Sequence, residues 1–330
     1  MPSQRVHTSE QTASVAAPAD VVYGLLADAV RWPLLLPGPV HVERIDFDGV
    51  RERLRLWDLQ DGRVRSFHLH RTLDPHTRTV RFEQEDTARP GAPTTGTWTV
   101  HAHGPARCRL TLAQDRTLDG PPAAATGHSR DHWQAEPAAL LAHVAQLAER
   151  WEQLDELLLS FQDTLQVTGP AELVYDFLYH VEHWPDRVPH VDAAHVTEDT
   201  PGIQLASLDT CATPDGRTLA TRSVRLCFPA AARIVYKELA TPHPIAAHSG
   251  EWSLEPHRDG VLAVCAQQVM LRPDATAPPA PDTDPDAARG HPDGGAADVR
   301  AQVRTWLGRA ATDTLRLAAW HAQNTVRRLR

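Results

Sequence analysis

Residues 18–33 read PADVVYGLLADAVRWP, and residues 170–185 read PAELVYDFLYHVEHWP. The second copy follows the first by 152 positions and keeps its Pro-Ala-acid-x-Val-Tyr opening and its Trp-Pro ending. Asp61-Gly62 with Asp215-Gly216, Pro75 with Pro229 and Trp98 with Trp252 continue the match at an offset of 154. A period this long is a domain and not a solenoid unit. The chain therefore reads as one fold written twice, as an N-terminal domain 1–159 and a C-terminal domain 160–330.

Within the first copy, residues 7–16 form a partly alternating first strand. Pro18 opens a helix on which Val21, Val22, Leu25, Leu26 and Val30 recur at helical spacing, and Trp32-Pro33 is expected to end it. Residues 34–39 (LLLPGP) read as an apolar loop. From there the period falls to two, with strands over 40–47, 51–59, 63–73, 78–86, 95–102 and 107–117 and turns at Asp48-Gly49, Asp61-Gly62, Asp74-Pro75 and Gly104-Pro105. Strands joined so closely form an antiparallel meander. Residues 119–136 read as a loop, after which Leu140, Val144, Leu147, Trp151, Leu154 and Leu158 define the apolar stripe of a long helix. The second copy repeats this order, with a strand over 160–168, a helix over 171–183, strands from about 191 to 271 and a last helix over 297–326. Residues 273–296, rich in Pro, Asp, Ala and Gly, read as a disordered loop. The fold class is α+β: two tandem helix-grip domains, each a curved antiparallel sheet around a long C-terminal helix, able to enclose a cavity for an elongated apolar molecule.

Composition excludes several classes. A formal charge of −9, with Lys237 the single lysine, argues against a nucleic-acid partner. No apolar run reaches the roughly 18 residues of a membrane span, and the opening MPSQRVHTSEQ lacks a secretory apolar stretch, so a cytoplasmic location is expected. Cys108, Cys211, Cys227 and Cys265 have neither zinc-ribbon nor disulfide spacing. There is no dinucleotide fingerprint, P-loop or nucleophile elbow, and nothing calls for a cofactor or a metal.

The tandem helix-grip halves, the Trp-Pro after the first helix and an Arg on the strand before an Asp-Pro turn resemble the di-domain aromatase/cyclases of bacterial type II polyketide synthases, tandem START/Bet v1-like domains. Single-domain relatives carry Trp-x-Ser-x-Arg on that strand. Here the N-terminal half has Phe67-x-Leu69-x-Arg71 followed by Leu73-Asp74-Pro75, and the C-terminal half has Thr221-x-Ser223-x-Arg225. Each half keeps the Arg, neither keeps the Trp, and only the second keeps the Ser. The resemblance implies a poly-β-ketone substrate tethered by phosphopantetheine to an acyl carrier protein, with the ketoreductase and ketosynthase of the same pathway as further partners. It also implies aldol closure between the seventh and twelfth carbons, dehydration and aromatisation of the first ring, with a chain reduced at the ninth carbon as the favoured substrate. A non-catalytic carrier of lipid or polyketide, or one catalytic domain completed by a structural one, are the alternatives.

Strand alternation places residues 67, 69, 71 and 73 on one face, so Arg71 points with Phe67, Leu69 and Leu73 towards the expected cavity. A lone Arg among apolar neighbours is costly unless paired. Arg225 stands likewise beside Thr221 and Ser223. An always-protonated guanidinium cannot act as a base, but it can stabilise an enolate or alkoxide. Arg71, Arg225 and Ser223 are therefore the catalytic candidates, and Trp32, Trp57, Phe67, Leu69, Trp184 and Thr221 the substrate-binding ones. For the proton acceptor, Asp58, Asp115, His128, His132 and Ser223 all stay open. The arginines of the last helix are either a solvated face or a surface for an acidic carrier protein.

Overall fold

A computed structural model describes residues 5–86, 94–118, 127–210, 218–258, 260–276 and 296–329, without the side chains of 5, 86, 116–118, 127–136, 276, 296, 328 and 329. The chain divides into two compact units, Met1–Leu154 and Asp155–Arg330, five residues before the boundary read from the repeat. The Asp215-Gly216 turn, Cys211 and most of 273–296 lie outside the described residues.

The first unit begins with β1 (Arg5–Val15), α1 (Ala19–Ala27), a 3₁₀ turn (Ala29–Arg31) and α2 (Trp32–Leu35). The strands β2 (Pro39–Phe47), β3 (Arg51–Gln60), β4 (Arg63–Asp74), β5 (Thr79–Asp86), β6 (Thr94–Ala102) and β7 (Cys108–Leu118) follow, then α3 (Gly127–Glu149). The sheet order is β1-β7-β6-β5-β4-β3-β2, every pair antiparallel. Within this unit the meander's last strand, β7, lies beside the first, β1. Asp61 (φ 50°) and Gly62 (φ 73°) make the two-residue turn between β3 and β4, the left-handed pair that matches strand twist. Asp74 Oδ1 accepts the backbone N–H groups of His76 and Thr77 to shape the next turn. Register shifts in β2 bend that edge of the sheet.

Helix α3 packs on β1 and β7 and touches α1. Its buried Leu141, Val144, Ala145 and Ala148 meet Val15, Leu110, Leu112 and Trp98 of the sheet and Val22 and Leu26 of α1. A second cluster of Ala29, Val42, Leu54, Leu56, Phe67 and Leu69 holds the other end of the unit.

The second unit repeats the plan: β8 (Leu158–Val167), α5 (Ala171–Tyr179), a 3₁₀ turn (Val181–His183), α6 (Trp184–Arg187), β9 (Val191–Thr200), β10 (Ile203–Thr210), β11 (Leu219–Phe228), β12 (Arg233–Ala240), β13 (Ile245–His257), β14 (Gly260–Leu271), α7 (Pro273–Thr276) and α8 (Ala296–Leu329). Its sheet order, β8-β14-β13-β12-β11-β10-β9, is that of the first. No helix among the described residues is long and apolar enough to cross a membrane.

Several expectations need correction. Trp32-Pro33 begins a helical turn instead of ending a helix, because Pro in the first turn of a helix gives up an N–H that would be unpaired anyway. Leu34 and Leu35, expected in a loop, are buried in that turn. Residues 127–136, also expected in a loop, belong to α3, and the long stripe breaks at Arg150. Beyond the break, α4 (Trp151–Leu157) follows and Trp151 is exposed. Arg300 donates to the carbonyls of Asp155, Glu156 and Leu158, and Arg304 pairs with Asp163 at 2.7 Å. These two arginines of α8 brace the start of the unit and are not a solvated face.

Candidate active site

Between the sheet and α3 of the first unit lies a cavity of about 880 Å³, at the upper end of the range for small-molecule sites. Trp32, Phe67, Leu69 and Arg71, four of the residues singled out by sequence, all line it. The alternation of β4 put three of them there: Phe67, Leu69 and Arg71 face inward and are buried. Trp57 does not line it. One residue out of phase with Leu56, it lies under the Arg55 guanidinium, 4.6 Å from ring to Cζ, with His41 beside it.

Arg71 is built in firmly. Its Nη1 donates to Leu26 O (3.0 Å) and its Nη2 to Ala27 O (2.7 Å), the last carbonyls of α1. A cation at a helix C-terminus meets the negative end of the dipole. The Cζ stands 5.0 Å over the Trp32 ring, and Trp32 Nε1 donates to Leu25 O (3.1 Å). Glu52, directly opposite on β3, supplies the countercharge with Oε1 2.9 Å from Arg71 Nε. That contact is an ion pair without hydrogen-bond alignment, since neither atom has a hydrogen-bond partner among the described residues. Glu52 Oε2 also accepts from Arg44 Nε at 2.9 Å. Burial pushes the Arg71 guanidinium down to about 10 against the opposing pull of Glu52, so it stays protonated at neutral pH. Each terminal nitrogen has one N–H beyond its helix carbonyl with no partner among the described residues.

The second unit copies the clamp with different chemistry. Arg225 Nη2 donates to Leu178 O, while Nη1 donates to both Tyr179 O (3.2 Å) and Gln204 Oε1 (2.7 Å). Gln204 stands opposite Arg225 as Glu52 stands opposite Arg71. An amide thus replaces the carboxylate, and burial lowers the Arg225 pKa. Trp184 is buried, donates to Phe177 O (2.9 Å) and stacks on Phe177. Thr221 reaches Leu208 O at 3.5 Å, and Ser223 is buried opposite Glu238. The sequence-predicted residues therefore form two separate groups, one in each unit.

The interiors differ further in. Thr94 and Gln114 line the first cavity. At the matching registers of the second unit, His248 Nε2 bonds Gln267 Oε1 (3.1 Å), and Gln267 Nε2 reaches Leu307 O on α8 (3.5 Å). This chain ties sheet to helix. Burial pushes the His248 imidazole down to about 4 and the Glu238 carboxyl up to about 8. Glu238 keeps some surface as a residue, but its Oε2 is sealed and has no hydrogen-bond partner among the described residues.

Of the proton-acceptor candidates, Asp58 lines the first cavity and accepts from Gln60 at 2.9 Å. Asp115 does not: it is exposed, out of phase with Gln114, and accepts from Thr8 at 2.6 Å. The side chains of His128 and His132 lie outside the described residues. His143 was missed by sequence reading; it lines the cavity from α3 with Nε2 2.7 Å from Leu35 O. His180, Glu182 and His183 lie close enough to share a metal ion. His180, however, already contacts Glu182 at 2.7 Å and Asp176 at 3.4 Å, as an ordinary surface ion-pair group would.

Family models described as polyketide cyclase/dehydrase and lipid transport match residues 6–149 and 167–290. The granaticin polyketide synthase bifunctional cyclase/dehydratase of Streptomyces violaceoruber is 35% identical over 324 residues, 98% of this chain and 96% of that one. The chain belongs to the polyketide cyclase/dehydrase family. The actinorhodin polyketide synthase bifunctional cyclase/dehydratase of Streptomyces coelicolor is 34% identical over 258 residues, 75% of this chain and 79% of its own. Two crystal structures match nearly end to end. The di-domain aromatase/cyclase StfQ of the steffimycin pathway has a TM-score of 0.79 at 29% identity, covering 96% of this chain and 99% of its own. The di-domain aromatase/cyclase BexL of the BE-7585A pathway has a TM-score of 0.77 at 31% identity, covering 96% and 98%. Membership makes the chain an enzyme of polyketide cyclisation and dehydration.

Proposed function

We propose that the first unit's cavity is the reaction chamber for first-ring closure of a poly-β-ketone. The chain is delivered by an acyl carrier protein on its phosphopantetheine arm. Closure joins the seventh and twelfth carbons, followed by dehydration and aromatisation, with a chain already reduced at the ninth carbon as substrate. The observation that carries this reading is the mostly apolar chamber with the protonated Arg71 guanidinium fixed in its wall. Arg71 cannot accept a proton, but its remaining N–H groups can hold a ketone oxygen and stabilise the enolate or alkoxide that forms there. Donors of this kind are worth about 10²–10³ in rate. The walls contribute by folding the chain so that one carbon pair meets and others do not. The second unit then acts as a structural partner, since Arg225 spends more of its donors on protein acceptors.

The test is reconstitution with a carrier protein and a minimal synthase, with and without a ketoreductase, and identification of products by mass spectrometry. An aromatised first ring that depends on this protein, formed in greater yield with the ketoreductase present, supports the reading. Greater yield without reduction would reassign the substrate. Unchanged shunt products under both conditions would leave a carrier of lipid or polyketide.

A further inference from the structure

Proton abstraction needs a base, and Arg71 is not one. The titratable side chains lining the chamber are His7 on β1, Asp58 on β3, Arg65 and Arg71 on β4, and His143 on α3; α2, which packs against His143, contributes none. We propose that His143 is the chamber's proton acceptor and donor, an inference that rests on the reading above. Its Nε2 lies 2.7 Å from the Leu35 carbonyl. A carbonyl can only accept, so Nε2 must carry the hydrogen, which leaves Nδ1 with the lone pair of the neutral ring. Nδ1 has no partner among the described residues, in a chamber whose other walls are largely apolar.

Two further observations support a chemical role. Arg71 holds the carbonyls of Leu26 and Ala27, and His143 holds that of Leu35. Cation and base are thus fixed to the two ends of one segment, which also carries Trp32. The helices can be aligned by their burial: Leu141, Val144, Ala145 and Ala148 on α3 repeat the spacing of Leu315, Ala318, Ala319 and Ala322 on α8. On that alignment His143 corresponds to Leu317, which packs on the core of the second unit. The fold accepts a leucine at this position, so packing alone does not require an imidazole.

In ring closure, a proton leaves a methylene between two carbonyls for Nδ1. The released electron pair forms the new C–C bond to the ketone carbon, and that ketone's π pair moves to its oxygen. The imidazolium then protonates the alkoxide. In dehydration, a second proton from the same carbon passes to Nδ1 as the C=C bond forms, and the hydroxyl leaves as water with the proton returned by the imidazolium. The imidazole begins and ends neutral, and each cycle sheds one water.

His143→Gln separates chemistry from stapling, because its amide can still donate to Leu35 O but cannot take a proton. The assay uses the full chain in the reconstituted synthase and reads the fraction of chains aromatised against pH, with thermal unfolding as the folding check. The expected result is a loss of about 10²–10⁴ in cyclisation rate and disappearance of the rising limb of the pH profile. Added imidazole should partly rescue His143→Ala. A second readout, deuterium exchange at the central carbon of heptane-3,5-dione followed by NMR, does not need ring closure and should fall in the same variant. Wild-type rates in His143→Gln, a slowed rate with the pH limb intact, or transfer of the limb to Asp58→Asn would each overturn the proposal. Exchange that depends on His143 without any aromatised product would instead uphold the base and overturn the assigned reaction.

Discussion

Glu52 gives the sharpest stability prediction, because the second unit supplies its control. Its side chain is fully buried between Arg71 and Arg44, with 2.9 Å contacts to each. Glu52→Ala leaves the Arg71 guanidinium buried without a countercharge, a loss of about 3–5 kcal/mol. For a unit of this size each kcal/mol moves the midpoint by roughly 2–4 °C, so the first unit should melt about 10 °C lower. Glu52→Gln should cost less than half as much, since Gln204 already holds Arg225 through its amide oxygen at 2.7 Å. Two units in one chain forbid a single two-state fit, so the assay is hydrogen exchange with temperature, followed on peptides of β3 and β4. A shift below about 2 °C in Glu52→Ala would refute the reasoning. It would mean that the helix carbonyls and the Trp32 ring satisfy Arg71 by themselves.

Further predictions concern the second unit and the strand glycines. With its folded pKa raised to about 8, Glu238 keeps its proton where the unfolded chain has lost it. Stability of that unit therefore falls as pH rises from about 4.5 to 8, and Glu238→Gln should be the more stable by about 3 kcal/mol at pH 7, converging with wild type near pH 4.5. His248, pushed down to about 4, acts in the other direction: the unfolded chain takes up a proton first, so stability falls as pH drops from about 6.5 to 4. Urea titrations across pH, read on β12 and β13 peptides, check both. Gly96 and Gly250 let the rings of Phe82 and Tyr236 lie against the backbone, and a Cβ would also stand 2.8 Å from the carbonyls of Ala113 and Ala266. Each Gly→Ala should cost about 1–3 kcal/mol. Gly96→Ala alone should weaken binding of an apolar fluorescent dye in the first chamber.

Much of the fold could be read from periodicity, and the site only in part. The repeated helix and its collinear partners marked two copies, and strand alternation put Arg71 on the same face as Phe67 and Leu69. Alternation also held the signal for Glu52, which shares the phase of Leu54 and Leu56. In the run Arg51-Glu52-Arg53-Leu54-Arg55 it reads as one surface charge among several. His143 lies three residues after Leu140 and four before Leu147, on the edge of the apolar stripe, yet only the carbonyl of Leu35 distinguishes it from a surface histidine. Trp57 could not be separated from Trp32 by composition, because both are large aromatics beside an apolar run and only the β3 register turns Trp57 away. Trp32-Pro33 was ambiguous for a physical reason: proline fits the first turn of a helix as well as the residue after its end. The polar chain from His248 through Gln267 to Leu307 depends on pairing between residues far apart in sequence, which local pattern does not reveal.

The most direct measurement is the product spectrum of Arg71→Lys beside Arg225→Lys in the reconstituted synthase, each first shown to be folded. Lysine keeps the charge but loses the planar fork that reaches two carbonyls and a ligand together. If the first chamber does the chemistry, Arg71→Lys returns the chain to shunt products while Arg225→Lys still yields the aromatised ring. Retention of the aromatised ring by Arg71→Lys, with its loss in Arg225→Lys, would contradict the assignment and move the reaction to the second unit.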